Sequence, residues 1–123
     1  RWNIAMETRR PLLVIANAHP PEWRIGLADL RSRMNATRML RIEDPDDVLS
    51  AALIEKVLAR RGLPVPNEVM KFALARLPRL YHALIDFAER LDERAIVRQR
   101  AISIPLAREV LQDMHRLDDS ETD

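Results

Sequence analysis

The sequence contains no cysteine, which excludes disulfide bonds, thiolate metal ligands and a cysteine nucleophile. Glycine occurs only at Gly26 and Gly62, so the chain has neither a glycine-rich phosphate loop nor a Gly-x-Ser-x-Gly nucleophile elbow. No apolar run approaches the roughly 20 residues that span a bilayer, and the N-terminus has no signal-peptide pattern. These absences predict a cytoplasmic protein with no membrane-spanning segment.

Charge is divided unevenly along the chain, although the formal net charge is only +1. Residues 1–42 contain eight arginines and three acidic residues, a balance of +5. Residues 43–123 contain twelve basic and sixteen acidic residues, a balance of −4. Such asymmetry favours docking of the basic part on the acidic part or on another anion. Arginine, which suits bidentate phosphate contacts, supplies 18 of the 20 basic residues, although genome composition can produce the same bias.

The first 43 residues are predicted to form an α/β edge unit. Residues 2–10 have the pattern of a short helix that Pro11 ends, and residues 12–16 are an apolar run typical of a buried strand. A basic helix over residues 27–34 and a second strand over residues 37–42 follow. Two strands cannot bury both of their faces, so we interpret this unit as the edge of a larger sheet.

Residues 44–117 are predicted to form a four-helix domain. Asp44 and Pro45 are a helix-start signal, and Gly62 is expected to adopt a left-handed conformation after the first helix. Each helix has one apolar stripe, and the four stripes are Leu49, Leu53 and Val57; Val69, Phe72, Ala73 and Leu77; Leu80, Leu84, Phe87, Ala88 and Leu91; and Leu106, Val110, Met114 and Leu117. Residues 95–100 are predicted to be a loop, and residues 118–123 a disordered tail.

The chain also resembles a known family, the DnaA/Hda group of AAA+ proteins. The resemblance depends on the apolar run of residues 12–16, the Pro-Pro-Glu-Trp loop at 20–23 and the Leu-Ala-Asp-Leu-Arg-Ser-Arg-Met box at 27–34. It continues through Leu-Asp-Glu-Arg-Ala at 91–95 and Ile-Ser-Ile-Pro-Leu at 102–106. The resemblance implies the C-terminal part of an AAA+ P-loop NTPase module, with the α/β edge unit followed by an all-α lid.

The resemblance also implies roles for individual residues. Arg33 matches the position of the family's arginine finger, which reaches the γ-phosphate of a neighbouring subunit's nucleotide. Asn17 lies in the sensor I region. His82 occupies the sensor II position, where the family has an arginine, and Arg79, three residues earlier, is a candidate substitute. A histidine is mostly neutral at cytoplasmic pH, which weakens the expected contact between this lid and a phosphate.

In the family, the phosphate loop, the Mg²⁺-binding acidic motif and the clamp-binding peptide precede the region that this chain matches. We therefore expect ATP or ADP with magnesium in the complete module and no nucleotide binding or catalysis by these residues alone. His19, His82 and His115 have no second ligand at metal spacing, so no metal site is predicted.

The function implied by the resemblance is regulation of chromosomal replication initiation, with Arg33 promoting hydrolysis of DnaA-bound ATP. The expected partners are DnaA and the DNA sliding clamp, and self-association into a homo-oligomer is a further expectation. The chain stops about six residues after its last apolar helix position, so no DNA-binding domain is expected, which favours an Hda-like regulator. The alternatives are a helical protein interaction module without a nucleotide role and a fragment of DnaA itself.

Overall fold

The structure is a computed structural model that describes residues 2–122. Its six α-helices are α1 (Trp2–Glu7), α2 (Ala28–Asn35), α3 (Asp47–Ala59), α4 (Asn67–Leu74), α5 (Tyr81–Arg98) and α6 (Ile104–Glu121), and a short 3₁₀ helix spans Pro20–Glu22. The chain separates into two compact units, Arg1–Arg41 and Ile42–Asp123. The second unit holds four of the six α-helices. The described chain as a whole is mostly helical.

The first unit contains α1, the 3₁₀ helix and α2, joined by irregular backbone. α1 ends at Glu7, earlier than predicted, and Arg9 has a left-handed φ of 52° that cannot continue a helix. The Pro-Pro loop is closed by Trp23, whose indole Nε1 donates a 2.9 Å hydrogen bond to the Ala18 carbonyl. Neither α1 nor α2 buries a residue, so this unit has little apolar core of its own.

The two predicted strands are not formed in the described residues. Neither segment 12–16 nor segment 37–42 is a strand, and no strand is found between residues 2 and 122. Most of the apolar side chains in the two segments are exposed. Leu13 and Leu40, for example, are 83% and 91% exposed. A strand is defined by hydrogen bonds to a neighbouring strand, and the described residues provide no such neighbour for either segment. Residues 2–122 therefore do not show the predicted α/β edge unit.

The second unit begins with α3, and its start differs from the prediction. Asp46, and not Asp44, is the N-cap, because its carboxylate accepts a 2.8 Å hydrogen bond from the Leu49 amide. Pro45 precedes the cap and is buried instead of occupying the first helical turn. Gly62 has a φ of +67°, as predicted for the turn after α3.

The buried face of α3 lies one residue further along than predicted. Ser50, Ile54 and Leu58 are buried, whereas Leu49 is exposed. The sequence of α3 is apolar on almost every side, so its period alone could not determine which stripe would face the core. The partner helices decided between the two stripes.

The core is built around α5, which packs against both α3 and α6. Seven of its eighteen residues are buried, and Leu84, Phe87 and Leu91 form the central stripe. α4 contributes Val69, Met70 and Ala73, and α6 contributes Leu106, Val110 and Leu111. Most of the predicted stripe residues of the last three helices are buried or packed against this core, which confirms the amphipathic pattern. Leu80 and Leu117, at the two ends of the predicted stripes, are exposed.

Two ion pairs connect the ends of α3 to α5. Arg79, just before α5, contacts the Asp47 carboxylate at the start of α3 with an Nη2–Oδ1 distance of 2.8 Å. Beyond the other end of α3, Arg61 Nε lies 3.0 Å from Asp92 Oδ2 in the middle of α5. Because the start of α3 meets the start of α5, and its end meets residues further along, the two helices run parallel.

α5 and α6 are joined by a set of ion pairs that requires antiparallel packing. Arg94 contacts both Glu109, at 3.2 Å, and Asp113, while Arg98 contacts Glu109 at 3.3 Å. Arg98, the later residue on α5, contacts the earlier acidic residue on α6, while Arg94 also reaches the later one. The two helices therefore run antiparallel. α5 also extends to Arg98 through the predicted loop at 95–100, and it ends at Gln99, which has a φ of 50°. An αL residue at this position is a common way to end a helix.

The predicted disordered tail is helical through Glu121. The sequence after Leu117 has no glycine or proline to stop α6, and two side chains bond to nearby carbonyls. The Ser120 hydroxyl donates to the Leu117 carbonyl and the Thr122 hydroxyl to the Asp118 carbonyl, each at 2.8 Å. The prediction was wrong for residues 118–121, and for Asp123 it lies outside the described residues.

The buried stripe of α5 gives a stability prediction. Leu84→Ala, at a fully buried position, should lower the free energy of unfolding by about 2–5 kcal/mol, because it removes apolar contacts and leaves a cavity. Val97→Ala, on the same helix but 78% exposed, should change it by less than about 0.5 kcal/mol. Urea unfolding followed by circular dichroism measures both values, and equal effects would contradict the assignment of this core.

The contact between α5 and α6 gives a pH prediction. The hydrogen bond from Arg94 holds the pKa of Asp113 below its ordinary value of 3.8, with a smaller opposing effect of burial. The unfolded chain therefore binds this proton at a higher pH than the folded chain does. The stability that the Arg94–Asp113 contact contributes is fully present above about pH 5 and is lost as the pH falls through the pKa of Asp113 in the folded protein. Asp113→Asn should remove part of this acid sensitivity in thermal melts between pH 6 and 2. Asp119→Asn, an exposed carboxyl on the same helix, is the matched control and should retain it.

Candidate functional site

Arg33 lies in the last turn of α2, where a positive side chain is favoured by the helix dipole. Its Nε lies between the two Asp29 carboxylate oxygens, at 3.2 and 3.1 Å, and its Nη1 donates a 3.0 Å hydrogen bond to Asn3 Oδ1. The side chains of Arg33 and Asp29 are 40% and 76% exposed. An exposed pair four residues apart on a helix is worth about 0–1 kcal/mol, so the guanidinium is held weakly.

Arg31 is held differently, although it lies only two residues away. Its Nε and Nη2 both donate to the Ile25 carbonyl, at 3.2 and 2.8 Å. Arg31 therefore fixes the chain that enters α2, while Arg33 borders a shallow hollow whose other lining residues are Trp2, Met6, Ala36 and Thr37. The different contacts agree with helical geometry, in which side chains two residues apart leave the helix in different directions.

Asn17 lies in a bend before the 3₁₀ helix and is exposed. The segment before it, residues 12–16, was predicted to be a strand but is not one, so Asn17 does not follow a strand. The geometry that would aim a sensor I side chain along a sheet is therefore missing from the described residues. The sensor I role of Asn17 stays a prediction.

Arg79 is the most strongly engaged of the four candidate residues. Its Nε donates to Asp47 Oδ1 at 2.8 Å, and its Nη1 donates to the Leu74 carbonyl at 2.6 Å and more weakly to the Leu77 carbonyl at 3.4 Å. Carbonyls at the end of α4 lack partners within their own helix, so Arg79 satisfies them. These contacts give Arg79 a structural role that accounts for its position.

His82 is the second residue of α5 and is exposed. The N-cap residue of this helix, Leu80, has no side-chain oxygen to satisfy the first amides, and no acidic residue lies in the first turn. His82 and Arg79 flank the same helix start, while Arg33 and Asn17 belong to the other unit. Within residues 2–122, no hydrogen bond or ion pair joins Arg79 to His82, and none joins Arg33 to Asn17.

Some of these contacts were accessible to sequence reasoning and others were not. The Asp29–Arg33 pair has the i, i+4 spacing of a helical ion pair and could have been predicted. The Arg79–Asp47 pair joins residues 32 positions apart, and no local signal connects them. The same holds for the Arg61–Asp92 pair, in which Asp92 is buried.

Among residues 2–122, no three histidine, aspartate or glutamate side chains form a group that could hold a metal ion. None of the helices described here is long and apolar enough to cross a membrane.

The fold and the ion pairs define the class of the second unit: a four-helix, all-α domain in which α5 is the central helix. Comparison with known families then identifies it further. A family model described as "Hda, lid domain" matches residues 46–111, more than half of the chain. The chain belongs to this family, and its second unit is the lid region of an Hda-like, DnaA-related AAA+ protein. A lid of this family points to a role in regulating DnaA.

The contacts of Arg79 and His82 predict different effects on stability. Arg79→Ala should lower the free energy of unfolding by about 1–3 kcal/mol, because it removes charge-assisted bonds and leaves helix-end carbonyls unpaired. His82→Ala, at an exposed position, should have an effect below about 0.5 kcal/mol. Chemical denaturation of the three proteins tests this, with Arg100→Ala as an exposed arginine control. A negligible effect of Arg79→Ala would show that its guanidinium is free for another role.

Proposed function

We propose that this chain is part of an Hda-like regulator of chromosomal replication initiation that promotes hydrolysis of DnaA-bound ATP through Arg33. The lid family supports the coarser part of this proposal, a relation to regulation of DnaA. The finer part depends on Arg33. An arginine finger acts by stabilising the charge that spreads over the phosphoryl oxygens in the transition state.

The observation that carries the proposal is the weak retention of the Arg33 guanidinium. Its partners, Asp29 and Asn3, are surface side chains, and no acceptor for its Nη2 is found among residues 2–122. Exchanging an exposed carboxylate for a phosphate of a neighbouring molecule costs little, because the surface pair contributes little. A planar guanidinium with permanent charge is also well matched to bidentate phosphate contacts.

The contacts of Arg79 and His82 in the lid support a weaker contact between the sensor II position and a nucleotide phosphate in this protein. Arg79, the candidate substitute for the family's arginine, is bound to Asp47 and to the end of α4. His82 is exposed at the start of α5, but a neutral imidazole has a weaker attraction for phosphate than an arginine has. We therefore propose that ATP or ADP with magnesium binds in the complete family module and that these 123 residues contribute little to it.

The proposed partners are DnaA, which provides the bound ATP, and the DNA sliding clamp. Self-association through the AAA+ module belongs to the same proposal. The main alternative is a helical interaction module with no nucleotide role, and the engagement of Arg79 within the lid favours it. A fragment of DnaA itself is a third candidate. The three differ in whether Arg33 affects hydrolysis and in which protein carries the nucleotide.

The central experiment measures hydrolysis of DnaA-bound ATP in the presence of clamp loaded on DNA, using the expressed protein that contains this chain. Arg33→Ala should remove nearly all of the stimulation, because arginine fingers contribute about 10³ to 10⁵ in rate. The fold should persist, since the residue makes only surface contacts.

Arg38→Ala is the matched control, because Arg38 is another exposed arginine of the same unit. Its activity should equal that of the parent protein, and Arg31→Ala should have a smaller effect than Arg33→Ala. Circular dichroism of each variant checks the helix content. Parent-like hydrolysis by Arg33→Ala would return this residue to the role of a surface ion pair and favour the interaction module.

A further inference from the structure

A cluster on the second unit, formed by Phe72, Arg76 and Arg108, has no role in the proposal above. Phe72 lies on α4 and packs partly against the core. The guanidinium carbon of Arg76 lies 3.7 Å from the centre of the Phe72 ring, and that of Arg108, on α6, lies 5.4 Å from it. Both distances are within the range of cation–π interactions.

The ring holds two positive charges close together without a neutralising carboxylate. The two guanidinium carbons are at most about 9 Å apart, within the Debye length of about 10 Å at 0.1 M ionic strength, so the charges repel each other. Between residues 2 and 122, neither arginine forms an ion pair with an acidic side chain. Glu109, which follows Arg108 in the sequence, is engaged by Arg94 and Arg98.

Arg76 is also fixed in orientation by a second contact. Its Nη1 donates a 2.9 Å hydrogen bond to the Phe72 carbonyl at the end of α4. A guanidinium restrained by the ring and this carbonyl loses less freedom when it binds an anion, and it keeps further N–H donors for that anion. Both arginines are exposed, so a ligand can reach them.

We propose that the Phe72–Arg76–Arg108 cluster is a docking site for an acidic segment of a partner protein, whose carboxylates pair with the two guanidinium groups. Carboxylates beside two like charges reduce their repulsion and form charge-assisted hydrogen bonds with them. This site lies on the lid and is independent of Arg33, so it does not rest on the proposed finger role.

Charge on the same unit favours a short acidic segment over a nucleic acid. Residues 43–123 carry a balance of −4, so an extended phosphate backbone would cross repulsive surface. Glu68, one helical turn before Phe72, places a negative charge next to the cluster and so limits the extent of its positive surface. Lys71, which precedes Phe72, adds one positive charge.

The test is an NMR titration of the full 123-residue chain with an eight-residue polyglutamate peptide at about 0.01 M ionic strength, where screening is weak. The side-chain Nε–H signals of Arg76 and Arg108 and the ring signals of Phe72 should shift most. Replacing both arginines, as Arg76→Gln with Arg108→Gln, should weaken binding about tenfold or more, since each loses a charge-assisted bond. Phe72→Leu should weaken it about threefold, because the guanidinium groups lose their aromatic support.

The matched control replaces two exposed arginines outside the cluster, as Arg60→Gln with Arg100→Gln, which changes the net charge equally. Its affinity should remain within about twofold of the parent. Equal weakening in the control, or shifts spread evenly over all arginines, would overturn the proposal by showing non-specific attraction. Stronger binding of a thymidine octanucleotide at the same signals would also overturn it, in favour of nucleic acid. Unchanged signals from the ring of Phe87 in each variant verify that the lid core is intact.

Discussion

Burial of the apolar stripe of α5 is the constraint on which the rest of the second unit depends. This helix presents Leu84, Phe87 and Leu91 to the core and contacts both α3 and α6. Neither neighbour could bury its own apolar face without it. Because most of the stability of helices in proteins comes from packing of their amphipathic faces, the contacts around α5 supply most of the helical stability of this unit.

Ion pairs join the helices in the alignment that they take around that core. The Arg79–Asp47 and Arg61–Asp92 pairs connect the parallel helices α3 and α5, and Arg94 with Glu109 and Asp113 connects α5 to the antiparallel α6. Apolar contacts are non-directional, so several helix alignments would bury similar area. Charged partners at fixed positions discriminate between them, which is a role in specificity more than in net stability.

The first unit follows a different physical regime. Its two helices bury no residue, and apolar segments such as 12–15 are exposed, so hydrophobic burial does not fix its conformation. Its organisation comes from local contacts, including the Arg31 bonds to Ile25 and the Trp23 bond to Ala18. In such a setting a surface arginine can change partners at low cost, and this property makes Arg33 suited to contacts with another molecule.

The sequence by itself determined the four lid helices, most of the buried stripe residues of α4, α5 and α6, and the left-handed turn at Gly62, because these features depend on local period and backbone freedom. It also contained the motifs that led to the family. Only the tertiary structure decided which stripe of α3 is buried, that Arg79 is bound to Asp47, and that Arg76 and Arg108 meet over Phe72. Those features join residues on different helices, and their proximity depends on how the helices pack. The strands predicted for residues 12–16 and 37–42 show the same limit, since an apolar run becomes a strand only when another strand completes its hydrogen bonds.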